Sequence, residues 1–199
     1  MSGVRRRPVT FLCRTVLLLL LPASMCVSQQ SALDEQPLDL LDHLAGKWTL
    51  NGRLGTKQTV HDVEADWVLN KEYLRLHEIS RERDQSGKPA YEAIVFLAWE
   101  PKSRQYSCLW LDSTAPGGLS NPMAHGVQSG SSIPLIWVFS PSHSLHTTFA
   151  YDQRSDTWRL TIDDVDQGKS ERFGDVVLRR KANSARKAGG GGGPTDSEG

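Results

Sequence analysis

The sequence predicts an all-β protein, an antiparallel up-and-down β-barrel of about ten strands preceded by a short N-terminal helix. Between Gly46 and Lys181 the chain consists of short β-rich runs separated by turn residues. Connections such as residues 85–88 and 101–104 are short, as links between neighbouring strands should be. Helical periodicity occurs only before the first run. Closure of such a meander into a barrel removes its exposed edges.

The first residues have the three-part order of a secretory signal peptide. Three arginines at positions 5–7 precede the apolar run 11–21, and Ser28 is a small residue at which a peptidase can cut. The apolar run contains Arg14 and is shorter than the roughly 20 residues that a membrane span needs. We therefore expect residues 1–28 to be removed, leaving a secreted or periplasmic protein without a stable membrane span.

Charge and composition indicate the class of partner and the segment boundaries of the mature chain. Lysine plus arginine and aspartate plus glutamate number 23 each, and the signal peptide carries four of the arginines, so the mature chain is mildly acidic. Such a chain has no basic field for phosphates, which excludes nucleic acid as a partner. We assign residues 29–37 to a linker, 38–181 to the barrel and 182–199 to a disordered glycine-rich tail.

The three cysteines do not form a disulfide framework. Cys13 and Cys26 lie in the signal region, so Cys108 is the one thiol that clearly belongs to the mature chain. Cys108 alternates with Tyr106 and Trp110 along an apolar run, which predicts a buried side chain. Lipidation at Cys26 and anchoring by an uncleaved helix remain alternatives for the N-terminus.

The helix and strands follow from periodicity. Leu38, Leu41 and Leu44 recur at helical spacing and Gly46 is a natural stop, which predicts a helix over residues 37–45. Trp158, Leu160 and Ile162 alternate with polar residues, as in a strand with one buried face. The predicted strands span residues 47–54, 57–69, 72–83, 90–100, 105–112, 123–128, 133–140, 145–152, 157–163 and 170–180.

Two strands are apolar on both faces, and one long segment has the composition of a loop. Residues 93–99 and 135–139 are apolar on both faces, so we expect them to be covered outside the barrel as well, by the helix or by a homodimer partner. The segment 112–134 is rich in glycine, serine and proline, which predicts a mobile loop with one weak strand at the barrel mouth.

The start of the first strand carries a motif with a known counterpart. Gly46-Lys47-Trp48 resembles the G-x-W motif of the lipocalins and the wider calycin superfamily. Together with residues 65–74, this region resembles a bacterial lipocalin-like family of unknown function, over about residues 38–180. The resemblance implies that Trp48 closes one end of the barrel with a basic residue across its ring. Arg179 and Arg180 both stand at the matching position, and we assign the role to Arg179.

The same resemblance implies a central cavity able to hold a small hydrophobic molecule. Aromatic residues at strand spacing are candidates for its wall, and two polar residues on an otherwise apolar strand are candidates unless that face is solvated. The candidate cavity residues are Arg75, His77, Trp110, Trp137, Phe149 and Tyr151.

No motif indicates an enzyme, a metal site or a cofactor. His143 and His146 are three apart but lead into a strand, where they do not share a face. The leading hypothesis is therefore an exported lipocalin-like barrel that binds a small hydrophobic molecule. The alternatives are a hydrolase or isomerase that uses the mouth near His125, an envelope module that binds another protein, and a haem barrel similar in outline to the nitrobindins.

Overall fold

The structure, a computed structural model, describes residues 37–114 and 118–182. The predicted signal peptide lies outside these residues, as do the linker up to residue 36 and the tail from residue 183. Within the described part of the chain, no helix has the length and apolar character needed to cross a bilayer.

The described residues form one α-helix followed by ten strands, which confirms the predicted all-β class and strand number. The helix α1 spans Pro37–Leu44. A short 3-10 helix, Gly118–Ser120, lies between the fifth and sixth strands. The strands are β1 Gly46–Leu54, β2 Lys57–Val68, β3 Tyr73–Ser80, β4 Glu92–Glu100, β5 Gln105–Asp112, β6 Ala124–Gly126, β7 Ser132–Ser140, β8 His143–Asp152, β9 Thr157–Asp166 and β10 Lys169–Arg180.

The ten strands form a closed antiparallel barrel in which each strand pairs with its neighbours in sequence. The last strand, β10, pairs with β1 and completes the ring, with Trp48 opposite Arg180 and Leu50 opposite Leu178. The shortest strand, β6, lies within the glycine-rich segment and pairs with β5 and β7 over few residues. Closure leaves no long unpaired edge on which another chain could add a strand.

Alternation along the strands places one face of each in the core. Trp158, Leu160 and Ile162 on β9 are buried, as their spacing predicts. Cys108 is buried as predicted and makes no disulfide within the described residues. Its burial raises the pKa of its thiol well above the ordinary value.

Of the two covers expected for the doubly apolar runs, the helix does not cover β7, and cover by a homodimer partner stays a prediction. The outward side chains of Ile136 and Val138 are 43% and 60% exposed in the described structure. Helix α1 does not lie over them, because it packs into one end of the barrel instead, where Leu40, Leu41 and Leu44 are fully buried. The helix therefore acts as a plug for the core.

The plugged end is held by contacts to the last carbonyls of the helix. The indole Nε1 of Trp48 donates to the carbonyl of Leu44 at 2.7 Å, and that of Trp158 donates to the carbonyl of His43 at 3.3 Å. The guanidinium of Arg180 donates to the carbonyls of His43 and Ala45, both at 3.0 Å. Carbonyls at a helix end have no partner within the helix, so these side chains supply the hydrogen bonds that the helix itself cannot.

The basic residue across the Trp48 ring is Arg180, and the assignment of that role to Arg179 is wrong. The guanidinium carbon of Arg180 lies 4.1 Å from the ring centroid. The reason is strand parity, since Val176 and Leu178 are buried and Arg180 continues their face, whereas Arg179 continues the outward face of Val177.

Gly46 is required where this end closes. Its φ of +130° lies in the region that favours glycine, and an added Cβ would stand 2.6 Å from Nη1 of Arg180. Any side chain at position 46 therefore displaces the arginine from its place over Trp48.

We expect Arg180→Ala to lower the free energy of unfolding by about 2 kcal/mol, because it removes a cation–π contact and the charge-assisted hydrogen bonds to the carbonyls of His43 and Ala45. The matched variant Arg179→Ala alters the neighbouring arginine on the outward face of β10 and should change the free energy of unfolding by less than about 0.5 kcal/mol. Urea unfolding followed by tryptophan fluorescence measures both. Equal effects of the two variants would contradict the assignment of Arg180 as the closing residue.

An outer ion cluster joins three parts of the chain beside this end. Asp62 on β2 accepts from Arg81 at 2.6 Å and from Lys181 at 2.6 Å. The hydrogen bonds from Arg81 and Lys181 lower the pKa of Asp62 from 3.8 to about 2. A carboxylate with a lowered pKa stabilises the fold above its ordinary pKa, and this stabilisation is lost as the pH falls through the lowered value.

Asp62→Asn should therefore remove part of the acid sensitivity of the fold. We expect the stability difference between the parent chain and the variant to be constant above about pH 5 and to shrink between about pH 4 and 2. Unfolding curves at a series of pH values provide the measurement. A stability difference that stays the same from about pH 7 to pH 2 would contradict the role of Asp62.

Candidate functional site

The barrel contains a cavity of about 840 Å³ at the end opposite α1. Leu54 and Lys57 flank it from the β1–β2 turn, and Phe139 and His143 from the β7–β8 turn. Thr114 and Asn121 contribute from the segment between β5 and β6, which places this segment at the mouth as predicted. A cavity of this volume is in the range of small-molecule sites.

Most of the cavity wall is apolar. Trp110 and Trp137 meet edge to face, with ring centroids 6.3 Å apart and an interplanar angle of 79°. The aliphatic side chains that complete the wall are Leu50, Leu145, Leu160, Ile162 and Val176. This wall offers a ligand apolar contact on several sides.

The four aromatic candidates from the sequence divide between the cavity and the core. Trp110 and Trp137 line the cavity. Phe149 is 1% exposed and packs within the core without lining the cavity. Tyr151 lies at the plugged end, where its ring stacks on His43 at 4.5 Å. The candidate status of Phe149 and Tyr151 as cavity residues is therefore wrong, because apolar alternation marks the inward face but not the depth along the barrel.

Arg75 and His77 lie outside the barrel, which corrects their candidate status as cavity residues. Arg75 donates to Asp66 at 3.0 Å and His77 contacts Glu92 at 2.7 Å, in partly exposed pairs. The parity of β3 explains this position, since Leu74 on the same strand is buried and the odd-numbered residues point to the opposite face.

A polar cluster on β2 and β3 also lines the cavity, and the sequence did not predict it. Glu78 on β3 contacts Nδ1 of His61 on β2 through Oε1. The other ring nitrogen of His61, Nε2, is 2.6 Å from Oγ1 of Thr59. All three side chains line the cavity, and the side chains of His61 and Glu78 are 3% and 7% exposed.

The two contacts of His61 favour one tautomer of the neutral imidazole. A carboxylate accepts, so Nδ1 of His61 carries the proton that it donates to Glu78. In the neutral ring Nε2 is then an acceptor, and the hydroxyl of Thr59 donates to it. The result is a directed chain of hydrogen bonds from the cavity surface to a buried carboxylate.

Tyr91 packs beside this chain. Its ring stacks on His61 with centroids 5.4 Å apart, and its hydroxyl accepts from Nε1 of Trp110 at 3.0 Å. Burial, together with the nearby charge of Glu78, raises the pKa of Tyr91 far above its ordinary value. The phenol is therefore a neutral donor at physiological pH, and it links the polar cluster to the aromatic wall.

The charged groups nearer the mouth are arranged in pairs. Lys57 lies 3.5 Å from Glu82, and His143 lies 3.0 Å from Asp164. Each pair joins groups that line the cavity and are partly exposed. His125, the histidine named for an enzyme at the mouth, is exposed on β6 and does not line the cavity.

Comparison with other proteins assigns no family to this arrangement. No protein-family model matches the chain, and a search of curated proteins gives no significant match. Among the described residues, no three histidine, cysteine, aspartate or glutamate side chains are grouped so that they could hold a metal ion. The function must therefore be argued from the cavity itself.

Proposed function

We propose that this chain is an exported binding protein that holds a small, mainly apolar molecule inside the barrel. The observation that carries the proposal is the cavity of about 840 Å³, which is open at one end and lined by tryptophan and aliphatic side chains. Transfer of apolar ligand surface from water to such a wall is favourable by roughly 25 cal/mol per Å². The proposed lipocalin-like role agrees with the barrel closure and with Arg180 over Trp48.

The cavity also favours a ligand with a hydrogen-bonding group at one position. Thr59 and Tyr91, which both contact His61, place hydroxyl groups on a wall that is mostly apolar. A few polar groups in an apolar pocket orient the bound molecule, because each unmatched polar group costs binding free energy. The expected occupant is therefore an uncharged apolar molecule with a carbonyl, hydroxyl or similar group.

Binding can be tested with N-phenylnaphthylamine, an uncharged aromatic probe whose fluorescence rises in apolar surroundings. We expect saturable binding to the full chain, and an affinity at least about tenfold weaker for Leu145→Trp, which fills the cavity from β8. The matched variant Leu69→Trp changes an exposed side chain in the turn at the other end and should bind as the parent chain does. Equal binding by both variants would place the probe elsewhere and contradict the proposal.

Export is supported by the N-terminal pattern of arginines, apolar run and small residues. Expression of the full chain in secreting cells should yield a mature protein that begins within a few residues of Gln29, as read by mass spectrometry of the N-terminal peptide. Recovery of the protein from the cytosol with the sequence still intact from Met1 would contradict export.

A further inference from the structure

We propose that Thr59, His61 and Glu78 form an acyl-transfer triad that hydrolyses small uncharged esters held in the cavity. The proposal rests on the proposed function because the ester must occupy the same cavity. It goes beyond that function by assigning a reaction to the polar cluster.

The connectivity of the three side chains carries the proposal. In hydrolases that use a hydroxyl nucleophile, the hydroxyl donates to one nitrogen of a histidine, and a buried carboxylate holds the other nitrogen. Thr59, His61 and Glu78 have this order, with 2.6 Å between Oγ1 and Nε2 and a direct contact between Nδ1 and the carboxylate. Hydrogen-bond reach between nucleophile and base is the first geometric requirement for such a site.

The surroundings favour the reaction over a simple structural role. The imidazole and the carboxylate are almost completely buried, whereas Thr59 is partly exposed and lines the cavity. A substrate in the cavity can therefore reach the hydroxyl, while the buried groups behind it are kept from bulk water. Electrostatic interactions in such an environment are stronger than in water.

The charges of the lining define the substrate class. Lys57 and His143, which are the other basic lining groups, already pair with Glu82 and Asp164. The lining therefore offers no unpaired cation for an anionic head group within the described residues. With apolar walls on the other sides, the site fits an uncharged ester that has a short apolar acyl chain.

The reaction balances without a cofactor. Oγ1 of Thr59 forms a bond to the acyl carbon and its proton passes to Nε2 of His61, while the carbonyl electron pair moves onto oxygen. The electron pair on that oxygen then re-forms the carbonyl bond. The bond to the leaving alkoxide breaks, and the alkoxide takes the proton from His61. Water attacks the acyl-threonine in the same way, and its proton passes through His61 back to Oγ1. One ester and one water give one acid and one alcohol.

Tyr91 supplies a donor for the negative oxygen in this scheme. Its hydroxyl already accepts from Trp110 and makes no other hydrogen bond in the part of the chain that the structure describes, so its own proton is available. The phenol remains protonated because it is buried. Stacking of its ring on His61 places it beside the base.

The test uses the full chain with p-nitrophenyl butyrate as substrate and a fluorophosphonate as a covalent probe. The parent chain is expected to release nitrophenol and to be labelled on Thr59, as located by peptide mass spectrometry. Thr59→Val preserves the shape of the side chain without its hydroxyl and should abolish both. His61→Gln should lower kcat/KM by about 10²- to 10⁴-fold.

Thr161→Val is the matched control, because Thr161 lies on the outer face of β9 and away from the cavity, and it should retain full turnover. The proposal is overturned if the parent chain shows no turnover above background, or if Thr59→Val keeps the turnover and the label. Displacement of N-phenylnaphthylamine by the ester without turnover would overturn the triad alone. Absence of probe binding and of turnover together would overturn the binding function as well.

Discussion

The structure depends on the hydrogen bonds that the carbonyls at the end of α1 accept from side chains of the barrel. A helix end that is buried without hydrogen-bond partners is costly, and here Trp48, Trp158 and Arg180 supply the donors from three different strands. The two tryptophans also fill the space below the helix, since both are fully buried. One set of contacts therefore closes the barrel, completes the core and fixes the point at which the chain enters β1.

This closure explains why the cavity lies where it does. The leucines of α1 and the two tryptophans fill one half of the barrel, so the inward side chains in the other half are left without a plug. A ten-stranded barrel is too wide to be filled by its own side chains along its whole length. The unfilled half opens between the turns that join β1 to β2 and β7 to β8, where the strands carry both the tryptophan wall and the polar cluster.

Strand positions and the closing motif were predictable from the sequence, whereas the polar site was not. Period-two alternation identified the strands, and the buried positions Val176 and Leu178 show that parity was also sufficient to choose Arg180 over Arg179. The cluster was missed because His61 and Glu78 come from different strands and meet only through the register of β2 with β3. The available signal was that His61 shares the parity of Val63, and Glu78 that of Leu76. Depth along the barrel, which separates Trp110 from Tyr151, depends on where the helix plugs the core and has no local signature.

The free-energy cost of burying the His61–Glu78 pair argues that the cluster has a function. Burial of ionisable groups costs free energy that mutual contacts offset only in part, and apolar side chains of similar size often stabilise a fold equally well or better. Both groups belong to strands whose other inward residues are mostly apolar, so the core does not need them for its shape. Strands also hold side chains more rigidly than loops, which keeps Thr59, His61 and Glu78 in contact before any ligand enters. A preorganised polar chain on an apolar cavity wall costs stability, and a role toward the occupant of the cavity accounts for that cost.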